Sequence, residues 1–166
     1  GILLPTNQWE EITLLAFCSG SPLLAKGGRY GAFQQPDFVR AFDFYLSIFR
    51  SGYAPAVSNS QVSNLYQQFG EGDFAMYLSG PWNVAEFRRR LPASLEGRWS
   101  TAPVPGMNAK TPGVSLAGGS SLVLFHGSAH KPAAWKLLEY LSEPAQQIRF
   151  YELSTDLPAR RSAWAV

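Results

Sequence analysis

FGEGDFAMYLSGPWN, residues Phe69–Asn83, holds a helix end, a strand, a tight turn and a helix start in immediate succession. Phe69 closes a run with helical spacing, and Gly70 and Gly72 interrupt it. Phe74–Leu78 reads as a short apolar strand. Ser79-Gly80-Pro81 then turns the chain and delivers Trp82 to the head of a further helical run, Asn83–Arg90. Open α/β sheets place ligands at the carboxyl ends of their strands. A tryptophan set there by a Gly-Pro turn presents a flat apolar face to a crevice. The competing reading is that Trp82 caps a local core, because tryptophan is highly buried on average.

Working outward, Gly1–Pro5 (GILLP) reads as a buried strand ended by proline. Thr6 or Asn7 is placed to cap a helix over about Trp9–Cys18, with Glu10 and Glu11 in a first turn that favours negative charge. Residues 20–35 are glycine-rich and fit a loop or hairpin. Pro36-Asp37 opens the most regular helix. In it Phe38, Val39, Phe42, Tyr45, Leu46 and Phe49 recur at three- and four-residue steps and predict one continuous buried stripe, ended at Ser51-Gly52. Asn59–Phe69 predicts a more polar helix. Trp99–Pro105 suits an edge strand and Pro105–Pro112 a loop, while Val114–Phe125 reads as two strand pieces joined at a Gly118-Gly119 bend. Pro132–Tyr140 and Glu143–Tyr151 complete the pattern as helices. Strands alternating with helices predict an α/β layer structure, a largely parallel sheet flanked by helices.

Composition narrows the function classes. A chain of 166 residues suffices for a single domain with a real core, and 46% hydrophobic against 16% charged residues marks it as globular. A net charge of +2 gives no reason to expect a nucleic-acid or anionic-membrane partner. The basic run Arg88–Arg90 falls at a helix end, where cations complement the helix dipole. The single cysteine, Cys18, forms no internal disulfide and packs as a small hydrophobe. No run approaches the roughly 20 apolar residues of a membrane span. Five tryptophans and an aromatic content of 14% suit carbohydrate stacking, and serve equally as core filler.

Catalytic and metal chemistry finds little support. His126 and His130 lie four apart across Gly127 without further ligands at zinc spacing, so no metal is expected. No G-x-S-x-G elbow is present, and GEGD and GG are not phosphate loops. A glycosidase needs two facing carboxylates. Glu10 and Glu11 are accounted for as first-turn charges, and Glu71 and Asp73 as members of a glycine turn, so all four read as solvated acids. Binding chemistry remains. A sugar offers apolar C–H faces and a ring of hydroxyls, so its pocket needs flat aromatics and a few short polar groups. Strand ends supply that mixture as Asn7, Gln8 and Trp9, then Ser79, Gly80 and Trp82, with Gly118, Gly119 and Ser120 at the glycine bend. For Trp9 a first-turn core position competes with ligand contact. For Gly118-Gly119 a bulge or crossover competes.

Five landmarks occur in order: ILLPTNQW (2–9), PDFVRAFDFYLSIFRSGYAP (36–55), G-[DE]-x-A-M-x-x-x-G-P-W (72–82) with Gly118-Gly119 after it, KPAAWKLLEYLSEPAQQIRFY (131–151) and LPARRSAW (157–164). In this order the chain resembles the solute-binding proteins of ABC-type sugar importers, in their maltose- and trehalose-binding-like branch. Members of that family are more than twice as long and have two lobes around a cleft. The resemblance therefore implies a fragment of a two-lobe protein, a C-terminal-lobe portion of periplasmic-binding-protein-like (type II) fold, with a crossover toward the other lobe near 113–130. It also implies a disaccharide or oligosaccharide ligand, delivery to membrane permease subunits by lobe closure, no cofactor, and a periplasmic or extracellular address. On that reading Trp82 stacks on a pyranose face and Asn7, Gln8 and Ser120 bond hydroxyls, while Arg160 and Trp164 fall in a tail near the cleft. The alternatives are a small carbohydrate-active hydrolase, which requires carboxylates converging near Trp82, and a non-catalytic interaction domain, which would not respond to sugar.

Overall fold

A computed structural model describes residues 1–107, 113–116 and 118–164. The chain divides into two compact units, residues 1–78 with 91–117 and residues 79–90 with 118–166.

In the first unit, β1 (Ile2–Leu3) is followed by α1 (Glu10–Cys18), and a hairpin joins β2 (Leu24–Ala25) to β3 (Tyr30–Gly31). Then come α2 (Pro36–Arg50), α3 (Leu65–Glu71) and β4 (Met76–Tyr77). β1 and β4 pair in parallel, Ile2 with Met76 and Leu3 with Tyr77. The other edge of β1 is tied to the 53–57 segment: Ile2 N donates to Tyr53 O at 2.8 Å and Thr6 N to Val57 O at 2.8 Å. The parallel sheet is thus small, and Phe74–Leu78 contributes only two residues to its ladder. Phe74 leaves the ladder to pack, buried, edge-on against Phe69 with ring centroids 5.9 Å apart.

The core gathers Leu4, Tyr45 and Ala54, with Ile12, Leu15, Leu46, Ile48, Phe49 and Leu78 packed around them. Apart from the small, fully buried Ala41, it reaches only the second half of α2, and this corrects the expected stripe. Tyr45 is buried and Leu46 and Phe49 are half-buried, but Val39 and Phe42 are exposed. The aromatic rings of α2 pack on one another instead: Phe38–Phe42, Phe42–Tyr45 and Tyr45–Phe49 lie 6.3, 6.4 and 5.0 Å apart. Phe42, Tyr45, Leu46 and Phe49 line one open groove with Thr6 and Arg50.

Four further expectations are corrected. α1 has Trp9 at its N-cap position and no side-chain cap, because Thr6 and Asn7 bond away from it, to Val57 O and from Asn59 N. The helix expected over Asn59–Phe69 splits into a 3₁₀ turn, Asn59–Gln61, and α3. The split follows from two caps: Ser58 and Gln61 close a capping box, and extended Asn64 accepts from Gln67 N at 3.2 Å. Trp99–Pro105 forms no strand, since Pro103 and Pro105 have no N–H to donate. No strand occurs at the described residues of 114–125 either. Residues 108–112 of the expected loop and Ala117 lie outside the described residues.

The second unit comprises α4 (Trp82–Arg90), α5 (Lys131–Leu141), α6 (Pro144–Ser154) and a 3₁₀ turn at Arg161–Ala163. Proline in the first turn opens both α5 and α6, as its fixed φ favours. α6 packs on the 3₁₀ turn, and Arg160 N donates to Gln147 Oε1 at 3.0 Å. No helix among the described residues is long and apolar enough to cross a membrane.

Candidate functional site

Because β1 and β4 run in parallel, the chain leaves both strands at the same edge of the pair. After β1 come Asn7, Gln8 and Trp9 of the first unit. Asn7 is exposed and its Oδ1 accepts from Asn59 N at 2.9 Å, which fixes the side chain and leaves its amide N–H groups free to donate. Gln8 is half-buried. Trp9 is exposed, so the first-turn core reading does not hold for it. The indole sits at the helix entrance with no core to enter, because the core lies along Leu4, Ile12 and Leu15.

After β4 the turn Ser79-Gly80-Pro81 enters the second unit and ends at Trp82. The six-membered ring of Trp82 lies where a Cβ on residue 80 would sit, so only glycine permits this ring position. The residue is 49% exposed. It is therefore neither a core ring nor a free one: one part rests on the Gly80 backbone and the remainder is open. Two neighbours hold its backbone. Ser79 Oγ accepts from Asn83 Nδ2 at 2.8 Å, bracing the turn against the first turn of α4. Thr155 Oγ1 donates to Trp82 O at 3.0 Å. Thr155 is β-branched yet sits at φ 61, a left-handed conformation that such residues avoid. No pattern in the sequence marks Thr155 as a support of the turn, since it acts through a hydrogen bond to a residue 73 positions away, whereas the Asn83 brace is local.

Gly118, Gly119 and Ser120 are all exposed, and Gly119 has φ 146, a backbone region essentially confined to glycine. Trp164 is exposed and directed by its Nε1, which donates to Pro158 O at 2.7 Å. It lines an open groove of about 510 Å³ with Ile148, Tyr151, Leu157 and Pro158. Within the second unit, then, the structure joins Ser79, Gly80 and Trp82 in one braced turn and sets Trp164 on an apolar groove. The Arg88–Arg90 run is anchored locally, with Glu86 bridging Arg89 and, at 2.7 Å, Arg90.

Of the four acids expected to be solvated, Glu10, Glu71 and Asp73 are exposed, and Glu11 alone is not. Glu71 accepts from Gln67 Nε2 at 2.8 Å. Glu11 is buried, and its Oε2 has no hydrogen-bond partner among the described residues. Burial raises its pKa above the ordinary 4.5; its own backbone N–H opposes that shift and Glu10 adds to it. Burial also raises the Tyr45 hydroxyl, and the Glu11 charge raises it further. The folded state thus binds the Glu11 proton more tightly than the unfolded chain does. The stability this contributes is fully present below 4.5 and is lost as pH rises through the raised value. Glu11→Gln is expected to stabilise the protein at pH 7 by on the order of 1 kcal/mol, the scale of one unsatisfied buried polar group. In acid the difference should vanish. Urea unfolding of both proteins against pH checks this, and a gain that persists in acid would contradict it.

The Trp82 indole is half-exposed on the Gly80 backbone, and the Trp9 indole is exposed at the entrance to α1. The chain belongs to the bacterial extracellular solute-binding protein family, whose profile matches residues 1–165. It is 47% identical to the sugar-binding protein MalE from the phytopathogen Xanthomonas citri, with a TM-score of 0.80 over 100% of this chain and 42% of that one. The GacH receptor of Streptomyces glaucescens, solved unliganded and with acarbose, shares the fold at 22% identity, with a TM-score of 0.75 and the same coverage. Among curated relatives, the maltodextrin-binding protein MdxE of Bacillus subtilis is 31% identical over 106 residues, 63% of this chain and 24% of its own length. The chain thus spans about a quarter of that relative. Its fold is that of type II periplasmic binding proteins, here a partial fragment with helices and a small parallel sheet.

Proposed function

We propose that this chain recognises a disaccharide or oligosaccharide as part of a two-lobe binding protein that delivers the sugar to the permease subunits of an ABC importer, in the periplasm or outside the cell. The observation that carries the reading is the Trp82 indole, half-open and laid on Gly80 after a parallel strand. Flat apolar surface with fixed polar neighbours matches the C–H face and hydroxyls of a pyranose. In the second unit Trp82 stacks on the sugar, Ser120 bonds a hydroxyl, and Ser79, Gly80, Gly118, Gly119 and Trp164 add contacts; in the first unit Asn7 and Gln8 bond hydroxyls and Trp9 adds apolar surface. Names of relatives support the substrate class: MalE is a sugar-binding protein and MdxE a maltodextrin-binding protein. Gly118-Gly119 begins the crossover between lobes, near 113–130; the division of the chain at 117/118 supports this placement. Closure is driven by the higher affinity of the ligand for the closed state. Nothing in the reading asks for a cofactor or a catalytic step.

A chain that spans 42% of the MalE polypeptide supplies only part of such a clamp. Losing the opposing wall removes buried area and the selectivity that closure provides. Calorimetric titration of the 166-residue chain with maltodextrins is expected to give millimolar or weaker binding, roughly −4 kcal/mol. Micromolar affinity would show a complete site and defeat the half-clamp reading. The absence of any sugar response in a larger assembly containing the chain would defeat sugar recognition itself.

A further inference from the structure

α6 ends on a residue that its backbone disfavours. Thr155 closes the helix at φ 61 and ψ 9, a left-handed conformation in which glycine or asparagine is the usual occupant. For a β-branched side chain it is a genuine outlier, and such strain persists only where surrounding contacts hold it. Local bonds hold the backbone here. Thr155 N donates to Tyr151 O at 2.7 Å, while Ser154 Oγ donates to Phe150 O at 2.9 Å and accepts from Asp156 N at 3.1 Å. One bond leaves the helix: Thr155 Oγ1 donates to Trp82 O at 3.0 Å. Glycine would adopt the same backbone without strain, and it could not make that bond.

A second ring hangs from the same segment, since Pro158 O accepts from Trp164 Nε1 at 2.7 Å. The Trp82 carbonyl and the Trp164 indole are thus both tied to residues 155–158, inside the second unit. The segment is stiff: Pro158 has a fixed φ, and the bond from Arg160 N to Gln147 Oε1 returns the chain to α6. Trp82 and Trp164 are 49 and 62% exposed. With so much of each residue open, burial does little to set the rings, and hydrogen bonds carry that task. We infer that residues 155–158 form a bracket for the two tryptophans, and that Thr155 is a positioning residue. Its hydroxyl fixes the Trp82 carbonyl, and with it the start of α4 from which the indole projects. The inference rests on the sugar-binding reading of Trp82 and adds the residue that aims the ring. A role confined to closing α6 does not account for a β-branched residue at a position that glycine fills at lower cost.

The test uses a chimera in which this chain replaces the matched part of Xanthomonas citri MalE, a graft made reasonable by 47% identity. Thr155→Gly removes the hydroxyl and the strain together, Thr155→Val removes the hydroxyl and keeps the strain, and Thr155→Ser keeps the hydroxyl. Calorimetric titration with maltodextrins is expected to show affinity about three- to tenfold weaker for Thr155→Gly and Thr155→Val, the scale of one hydrogen bond. Thr155→Ser should stay within about twofold of the parent, on the same scale. The thermal midpoint should divide the first two variants. It should fall for Thr155→Val and be no lower than the parent's for Thr155→Gly, where relief of strain offsets the lost bond. A helix-closing role would not separate affinity from stability in this way. On a Trp82→Ala background, Thr155→Gly should change affinity by less than about twofold, because the ring it aims is gone. Parent-like affinity in Thr155→Gly would overturn the inference. So would a loss of affinity that comes with a fallen midpoint in that variant, or one that persists undiminished on the Trp82→Ala background. A parent chimera that does not bind maltodextrin defeats the sugar reading and this inference with it, whereas a parent that binds while Thr155→Gly binds equally well defeats the positioning role alone.

Discussion

Trp82→Ala, made in a chimera in which this chain replaces the matched part of Xanthomonas citri MalE, is expected to weaken maltodextrin binding by about 1.5–3 kcal/mol, the burial of one large apolar side chain. Stability should change less than affinity does. The argument rests on how the ring is held. An indole that is half-open in the free protein has surface left to bury against a ligand. Its backbone is fixed by Thr155 Oγ1 at the Trp82 carbonyl and by the Ser79–Asn83 brace, so little ordering remains for the ligand to impose. Gly80→Ala should reproduce part of the loss, because the new Cβ displaces the six-membered ring without removing it. Calorimetry and thermal unfolding on the same samples separate the outcomes. If Trp82→Ala unfolds readily while the remaining folded protein binds normally, Trp82 is scaffold and the assignment built on it fails.

Tyr45→Ala is expected to cost about 3–5 kcal/mol of folding stability, the range for removing a buried aromatic side chain. Phe42→Ala, one turn away on the same helix, should cost only about 1 kcal/mol. Both are aromatic, and both lie on the stripe that helical spacing singles out. They differ because the core of the first unit meets α2 at Tyr45, Leu46 and Phe49, while Phe42 rests only on neighbouring rings at the edge of an open groove. Urea unfolding of the two variants measures the contrast directly. Equal losses would mean that the stripe is buried along its whole length.

Local pattern carried far in this chain. α2 begins at Pro36 and ends before Ser51-Gly52, as its proline start, its spacing and its glycine stop predict. β1 and β4, the turn between β4 and α4, and the proline-opened α5 and α6 all follow from signals within a few residues of each element. Strand pairing at the weaker segments was less legible. Trp99–Pro105 and Val114–Phe125 have strand-like composition, but strands are made by hydrogen bonds to distant residues, and composition cannot show whether those partners are present. The polar helix over Asn59–Phe69 failed for a local reason, two capping side chains whose competition with helix continuation is hard to weigh.

The sequence by itself determined the family, the helices other than the one expected over Asn59–Phe69, and the turn that delivers Trp82, because periodicity, proline and glycine act through neighbours along the chain. Only the tertiary structure decided that Trp9 is exposed, that Glu11 is buried with an unpaired oxygen, that Phe42 lies outside the core, and that Thr155 anchors the Trp82 carbonyl. Each of those depends on what a side chain meets after the chain has folded back on itself. Burial and hydrogen bonding between residues dozens of positions apart leave no local trace in the order of amino acids.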